Sequence, residues 1–557
     1  MRFLYLLVLL ALTSASGQTT TSATITGRVV NDGGQPVAYV TITLRPVNSL
    51  QQLAVTTTDR EGKFQISGLE QRPYQLTAWL SAYAIFTSPT NYRIGDSVNV
   101  VLTKGGVITG TVTTQTGEPV IGARVHARMV GADSNQSASP YLSFMLERMT
   151  DDRGVYRIYG LRSGTYVVWT GGGGGPTVDS TIDPFDDIVP TYSPSSTRDN
   201  ASEINVRAGE EVSNVDIRFR GESGHTISGK AGISRSTEPS HFILNLIAAG
   251  KNRSELAMTG IQTADNRSFV FRGVEDGEYD LAAFSFARSG PGNAVASKRI
   301  KVEGADVTGI DLIAEPLASV SGRIVLEESN KTECNNKQRP LLTEMLVSAL
   351  QDESQKTNYQ FDSFLKAPGS IDADGNLLLK NLLPGKYFFV PEFEAKYWYL
   401  QSITLPPATP AAKATRTPAP VDATRTWTIL KPGERLSGLT ITVAQGAASV
   451  AAEIADNHTD NLYLVPAEKD AAEDVLRYFM AAIGPDGKVA LNNLPPGRYW
   501  TLVRPNTEAA PVSTAKLRMP DQKELRTTLR REAEAAKTAI ELKPCQHLTG
   551  LSIKPNQ

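Results

Sequence analysis

Residues 58–69 read TDREGKFQISGL, and Tyr74 follows five residues later. Residues 150–161 read TDDRGVYRIYGL, with Tyr166 at the same distance. Counted from Asp59 or Asp151, a Gly stands at +3, apolar residues at +5 and +7, a Leu at +10 and the Tyr at +15. This is the signature of a hairpin that feeds a half-buried strand. Asp closes the turn through its side chain, Gly accepts a positive φ, and Lys63-Phe64-Gln65-Ile66 alternates out and in. The phrase recurs three more times. Residues 263–279 (TADNRSFVFRGVEDGEY) keep Phe269, Phe271, Val274 and Tyr279, with Arg267 at the place of the turn Gly. Residues 370–387 (SIDADGNLLLKNLLPGKY) keep Asp372, Gly375 and Tyr387, and residues 482–499 (AIGPDGKVALNNLPPGRY) keep Gly487 and Tyr499, with the turn Asp moved to Asp486.

Each of the five tyrosines opens a further apolar strand, as in Tyr166-Val167-Val168-Trp169 and Tyr387-Phe388-Phe389-Val390. Its ring is expected at the core edge with its hydroxyl on a backbone carbonyl, as in a tyrosine corner. Trp79, Trp169 and Trp500 follow these tyrosines and are expected in or near the core. Upstream of each phrase lies an opening strand: residues 25–29 (ITGRV), 108–112 (ITGTV), 227–231 (ISGKA), 320–324 (VSGRI) and the degraded 450–454 (VAAEI). Downstream lies a closing strand: residues 98–102, 215–219, 307–312, 439–443 and 548–553. Short strands at this spacing, separated by turn signals, make β-sandwiches. The chain therefore reads as all-β, a tandem array of five sandwiches at 18–105, 106–221, 222–317, 318–447 and 448–557. One helix is expected over 520–536, where Leu525, Leu529 and Ala533 share a face and Asp521 can cap.

The run ITGTVTTQTGEPVIGARV followed by TDDRGVYRIYGLRSGTYVV resembles the carboxypeptidase regulatory-like domain. The resemblance implies a seven-stranded transthyretin-like (prealbumin-like) sandwich, related to starch-binding-like folds and collagen-adhesin B-type repeats. It makes a polysaccharide the first ligand class to consider and leaves activity open, because such folds carry unrelated functions.

Bulk properties narrow the rest. A net charge of −2 with scattered Lys and Arg gives no electrostatic footprint for nucleic acid. Arg2, the ten apolar residues 3–12 and the small residues 13–17 form a secretory signal, residues 1–17, too short to span a bilayer. No other membrane span is visible, so a secreted or periplasmic protein of the cell envelope, with or without attachment to the outer membrane, is expected. Cys334 and Cys545 are the only cysteines, and they read equally as a disulfide or as two separate thiols.

Catalytic motifs are absent. His126, His225, His241, His458 and His547 lack zinc spacing, and there is no nucleophile elbow, P-loop or dinucleotide fingerprint. No enzyme activity, cofactor or metal is expected. Asp372-Ala373-Asp374-Gly375-Asn376 starts like a calcium loop but has Leu383 where the final Glu belongs, so it reads as a hairpin turn. The acidic insertion with Asp179, Asp183, Asp186 and Asp187 reads as a solvated loop, and 405–426 as an extended Pro-rich segment. Tyr397-Trp398-Tyr399 is the one candidate ligand site: neighbouring residues of a strand point to both faces, so a ring is free for a sugar or a partner unless all three pack inward. A non-enzymatic binding or spacer protein is the expected function. The alternative is an accessory module of an envelope complex, held by protein–protein contacts.

Overall fold

The computed structural model describes residues 23–47, 54–130, 147–172, 185–234, 241–249, 256–262, 268–286, 293–352, 354, 368–407, 419–454, 460–505 and 513–553. Signal residues 1–17, the turn at Arg267, His458, Asp179 and Asp183 lie outside them.

Module 1 sets the plan. Its opening strand Thr24–Asn31 lies between the hairpin strand Lys63–Ser67 and the closing strand Ser97–Leu102. The first pair is antiparallel, with Gly27 opposite Phe64, and the second is parallel, with Val29 opposite Val100. A second sheet runs Ala54–Thr57, Thr41–Pro46, Tyr74–Trp79 and Phe86–Thr87. Modules 2 and 5 repeat this order, the latter again with three strands facing four. Module 4 extends the opening-strand sheet to six strands, and module 3 joins both layers into one curled seven-stranded sheet. Five separate hydrophobic clusters, each drawn from one module, form five cores.

The recurrent letters have physical duties. Asp59 Oδ1 accepts from the backbone N–H of Glu61 (3.0 Å) and Lys63 (2.7 Å). Asp151 serves Arg153 and Val155, and Asp372 serves Asp374 and Asn376, in the same way. In module 5 Gly484 takes the Asp position with the same backbone pairing to Lys488. The Gly of the opening strand leaves room for the closing strand: a Cβ there would meet the carbonyl oxygens of Val98, Val215, Ile310 and Leu439 at 1.9–2.4 Å. The initial Thr, unassigned from sequence, is an anchor. Thr58 and Thr150 are buried; each hydroxyl donates to a carbonyl (Val37 or Val120) and accepts an N–H (Val40 or Ala123) of the Pro-Val loop. Modules 4 and 5 lack that loop and place buried Ile371 and Ile483 there.

All five tyrosines are at most 4% exposed. Each hydroxyl donates to the carbonyl four residues upstream: Tyr74 to Glu70 (2.8 Å), Tyr166 to Arg162 (3.0 Å), Tyr279 to Glu275 (2.8 Å), Tyr387 to Leu383 (2.9 Å) and Tyr499 to Pro495 (2.8 Å). The turn between hairpin strand and tyrosine strand is therefore locked the same way in every module.

The C-terminal helix runs Lys523–Ala536 and packs Leu529 and Ala533, with Leu525 beside them, against Tyr463, Val465 and Leu502 of the module 5 sheet. Asp521 is not its cap: it sits in a 3-10 turn, Pro520–Gln522, and the N-cap Gln522 makes no side-chain bond. A preceding helix, Thr514–Arg518, was not visible in the apolar periodicity because it is so short; Ser513 caps it through the N–H of Lys516. Trp79 also departs from expectation. It closes its strand pointing away from the core and is 37% exposed, because Leu76 and Ala78 already take the inward positions. Trp169 stacks between His126 (5.0 Å) and Tyr192 (5.5 Å) on the outer face of module 2.

Two outcomes follow. Tyr387→Phe leaves the Leu383 carbonyl without its donor in a buried site and should cost about 1–3 kcal/mol, read from chemical denaturation. Burial raises the phenols of Tyr166, Tyr279 and Tyr499 from the usual 10.0 to about 12. The folded state then keeps protons that the unfolded chain releases, so stability should hold below pH 10 and fall as the pH rises from 10 toward 12. Unfolding midpoints, followed together with tyrosinate absorbance across that window, check the sign.

Candidate functional site

The chemistry of this chain gathers where modules meet. Linkers are short: residues 103–105, 219–224, Leu317 alone, and 446–447 separate each closing strand from the next opening strand. A left-handed residue recurs just before the +10 apolar residue of each phrase (Leu, or Val274 in the third): Gly68, Gly160, Gly273, Asn381 and Asn493, with φ from 58° to 79°. In modules 2–5 it contacts the preceding module's loop after the tyrosine strand. A Cβ on Gly160 would lie 3.3 Å from the Tyr83 carbonyl, and one on Gly273 2.5 Å from that of Asp186. Asn381 accepts from Asn293 at 2.9 Å. Asn493 donates to the carbonyls of Ala395 and Trp398, both at 2.8 Å.

Further bonds close each joint. Arg162 reaches the Ile85 carbonyl (3.0 Å), Arg272 pairs with Asp187 (3.1 Å), and Leu383 enters an apolar patch of module 3 with Ile247, Phe284 and Val295. Cys334 of module 4 and Cys545 of module 5 form a disulfide across 211 positions of sequence. The described part of the acidic insertion is thus joint material rather than a solvated loop: the Asp187 carbonyl accepts from Gly224, Ile188 bridges Ser223, and Tyr192 is buried. The end of the Pro-rich segment likewise enters the sheet at Val421–Asp422, with Ala423 and Thr424 buried.

Tyr397, Trp398 and Tyr399 belong to the joint between modules 4 and 5. Trp398 is 1% exposed and donates to the Gln338 carbonyl at 3.0 Å. Tyr397 is half-buried at φ 68°, beneath Lys337 Nζ (4.5 Å from the ring centre), and its carbonyl accepts from Gly446 and Ala447. Tyr399 is half-buried beside Gly446, and burial raises its phenol.

The array also folds back. Arg93 of module 1 pairs with Glu394 (2.7 Å) and Glu344 (3.8 Å) of module 4. Beside this pair lies a cavity of about 550 Å³, lined by modules 1, 4 and 5. A second, of about 410 Å³, lies between modules 4 and 5 and gathers Asp422, Asp470, Glu473 and Asp474. Asp422 is bound to Arg425 (3.0 Å), Asp474 caps the turn at Leu476 (3.1 Å), and no group of metal-ligating side chains occurs among the described residues. Burial raises the Asp474 carboxyl. His225 sits 3.2 Å from Asp276 and 4.0 Å from Asp306, but each carboxylate also accepts a backbone N–H, and the pair lines neither cavity. His547 and Ser449, 2.6 Å apart, are exposed cross-strand neighbours. Among the described residues no helix is long and apolar enough to cross a membrane.

These features define a tandem array of prealbumin-like sandwiches. Residues 24–103, which make up module 1, match the carboxypeptidase regulatory-like domain family. Solved structures similar to the chain include two B repeat units of the collagen-binding protein of Staphylococcus aureus (12% identity, 76% of this chain, 100% of that one, TM-score 0.13). The TIE protein of Bacillus anthracis (12%, 73% and 68%, TM-score 0.14) and the minor pilin of Streptococcus agalactiae (15%, 36% and 96%, TM-score 0.19) are others. No curated protein matches.

The joint residues left one sequence signal, a Gly or Asn at +9 in every phrase; Arg93 and Arg518, which line the larger cavity, left none. Gly273→Ala adds a Cβ against two carbonyls at a left-handed position and should loosen the joint between modules 2 and 3. Small-angle scattering should show a larger radius of gyration, while the circular dichroism of the sheets stays unchanged.

Proposed function

We propose that the chain is a non-enzymatic binding protein of the cell envelope, exported by residues 1–17, whose modules divide near 105, 221, 317 and 447 and hold a ligand between them. The observation that carries this reading is the fold-back: Arg93 joins module 1 to module 4 and creates a cavity that no single module contains. A spacer gains nothing from such closure. Short linkers and the disulfide between modules 4 and 5 support it by fixing the geometry in advance, which lowers the entropy lost on binding. Carbohydrate is the ligand class favoured by the family resemblance. Tyr397 and Tyr399 act on binding through the joint they fill.

The second reading, an accessory protein that docks on another envelope protein, draws on exposed apolar residues of edge strands: Val55 (60%) and Ile429 (65%). A glycan array probed with the mature chain decides. Retention on at least one glycan is expected; binding to none, with capture of an envelope protein lost on Val55→Lys or Ile429→Lys, transfers the function to the second reading.

A further inference from the structure

The larger cavity holds two arginines in different electrostatic states. Arg93 is neutralised by Glu394 and Glu344. Arg518 has no carboxylate within 4.0 Å among the described residues. Backbone carbonyls hold it instead: Nε donates to Tyr478 (3.2 Å) and Nη2 to Leu476 (2.9 Å). Its guanidinium carbon lies 4.4 Å from the centre of the Phe479 ring. These contacts fix the guanidinium plane and leave Nη1 without a protein acceptor. Burial disfavours its charge and brings its pKa down to about 10, still well above neutrality. The cation therefore persists with Asp474 acting on it only from beyond contact distance and with Nη1 open, which leaves it able to receive an anion.

The remaining lining selects the anion. Asn91 of module 1 and Asn492 of module 5 offer neutral amides, and Phe393 of module 4 offers a half-buried ring. Two exposed carboxylates, Glu392 and the Arg93-bound Glu394, also line the cavity and repel a second negative group. A ligand with one carboxylate on a hydroxylated ring matches this set; a polyanion does not. The cavity volume falls within the roughly 300–1,000 Å³ of small-ligand pockets. We propose that this cavity binds a single uronate residue of an acidic saccharide, with Arg518 receiving the carboxylate, Asn91 and Asn492 the hydroxyls, and Phe393 one face of the ring.

This assignment rests on the carbohydrate reading above, and the test separates the two. The full mature chain is titrated by calorimetry with a xylotriose bearing one glucuronate branch, with its methyl ester, and with unbranched xylotriose. The acid should bind at least about tenfold more tightly than either neutral sugar, as loss of one charge-assisted bond implies. Arg518→Gln should abolish that preference. Because Arg518 also ties two carbonyls, Asn492→Asp provides a second variant: Asn492 is exposed, and a carboxylate there should weaken the acid by a similar factor while leaving the melting temperature unchanged. Equal binding of acid and ester, or an acid preference that survives both variants, overturns the site and leaves the carbohydrate reading standing. Failure of every glycan on the array overturns both. Tighter binding of an uncharged-side-chain peptide through its C-terminal carboxylate overturns the saccharide assignment.

Discussion

The hydroxyl of the corner tyrosine, bonded to the carbonyl four residues upstream, is the constraint on which the architecture depends. It locks the segment that begins at the left-handed joint residue, six positions before the tyrosine in every module. In modules 2, 3 and 4 the residue whose carbonyl accepts the bond also turns its side chain toward the preceding module or its linker. Arg162 bonds the Ile85 carbonyl, Leu383 fills the apolar patch on module 3, and Glu275 lies 3.9 Å from Arg220 in the linker before its own module. One buried bond thus stiffens a module and aims its joint together. Loss of the phenol would act on the core first and on the module-to-module angle second.

Much of this was legible in the sequence because it is local. A turn Asp, an alternating strand and a tyrosine at fixed spacing encode a hairpin and a corner within about twenty residues, and local codes survive copying. The fifth phrase kept its turn after Asp moved, because the backbone pair between Gly484 and Lys488 remains and Asp486 Oδ1 still accepts the Lys488 N–H (3.2 Å). What was not legible is non-local. The disulfide partners are separated by 211 positions, and only the packing of modules 4 and 5 brings them together. The acidic insertion looked solvated because its composition is polar, yet its carbonyls and Asp187 are used by the next module. The aromatic run 397–399 left open whether Trp398 or its two tyrosine neighbours fill the core, and tertiary packing put Trp398 inward.

Repetition of one joint has a geometric consequence. Each module clasps its successor with the loop after its tyrosine strand, and the array folds back until module 1 meets module 4. In module 5 the chain after the tyrosine strand becomes helical and covers that module's own sheet instead. This fold-back sets the loop around Arg93 against module 4 and beside the end of the first helix, where Arg518 stands.

Stability alone gives no reason for a cation at that place. An apolar side chain against Phe479 would pack as well and avoid the desolvation of a guanidinium, and a paired arginine would at least recover a Coulombic gain. Arg518 takes only part of that gain, from Asp474 beyond contact distance, while two carbonyl dipoles offset part of its desolvation and hold its plane. The arrangement resembles how preorganised sites store electrostatic free energy for a charge that arrives later. Its companions come from three modules, so the strength of the site is set by the rigidity of the joints, and through them by the corner tyrosines. A weakened corner in module 5, where the Tyr499 ring lies beside Phe479 (centres 6.5 Å apart) and near Arg518, would therefore loosen the cavity through its wall.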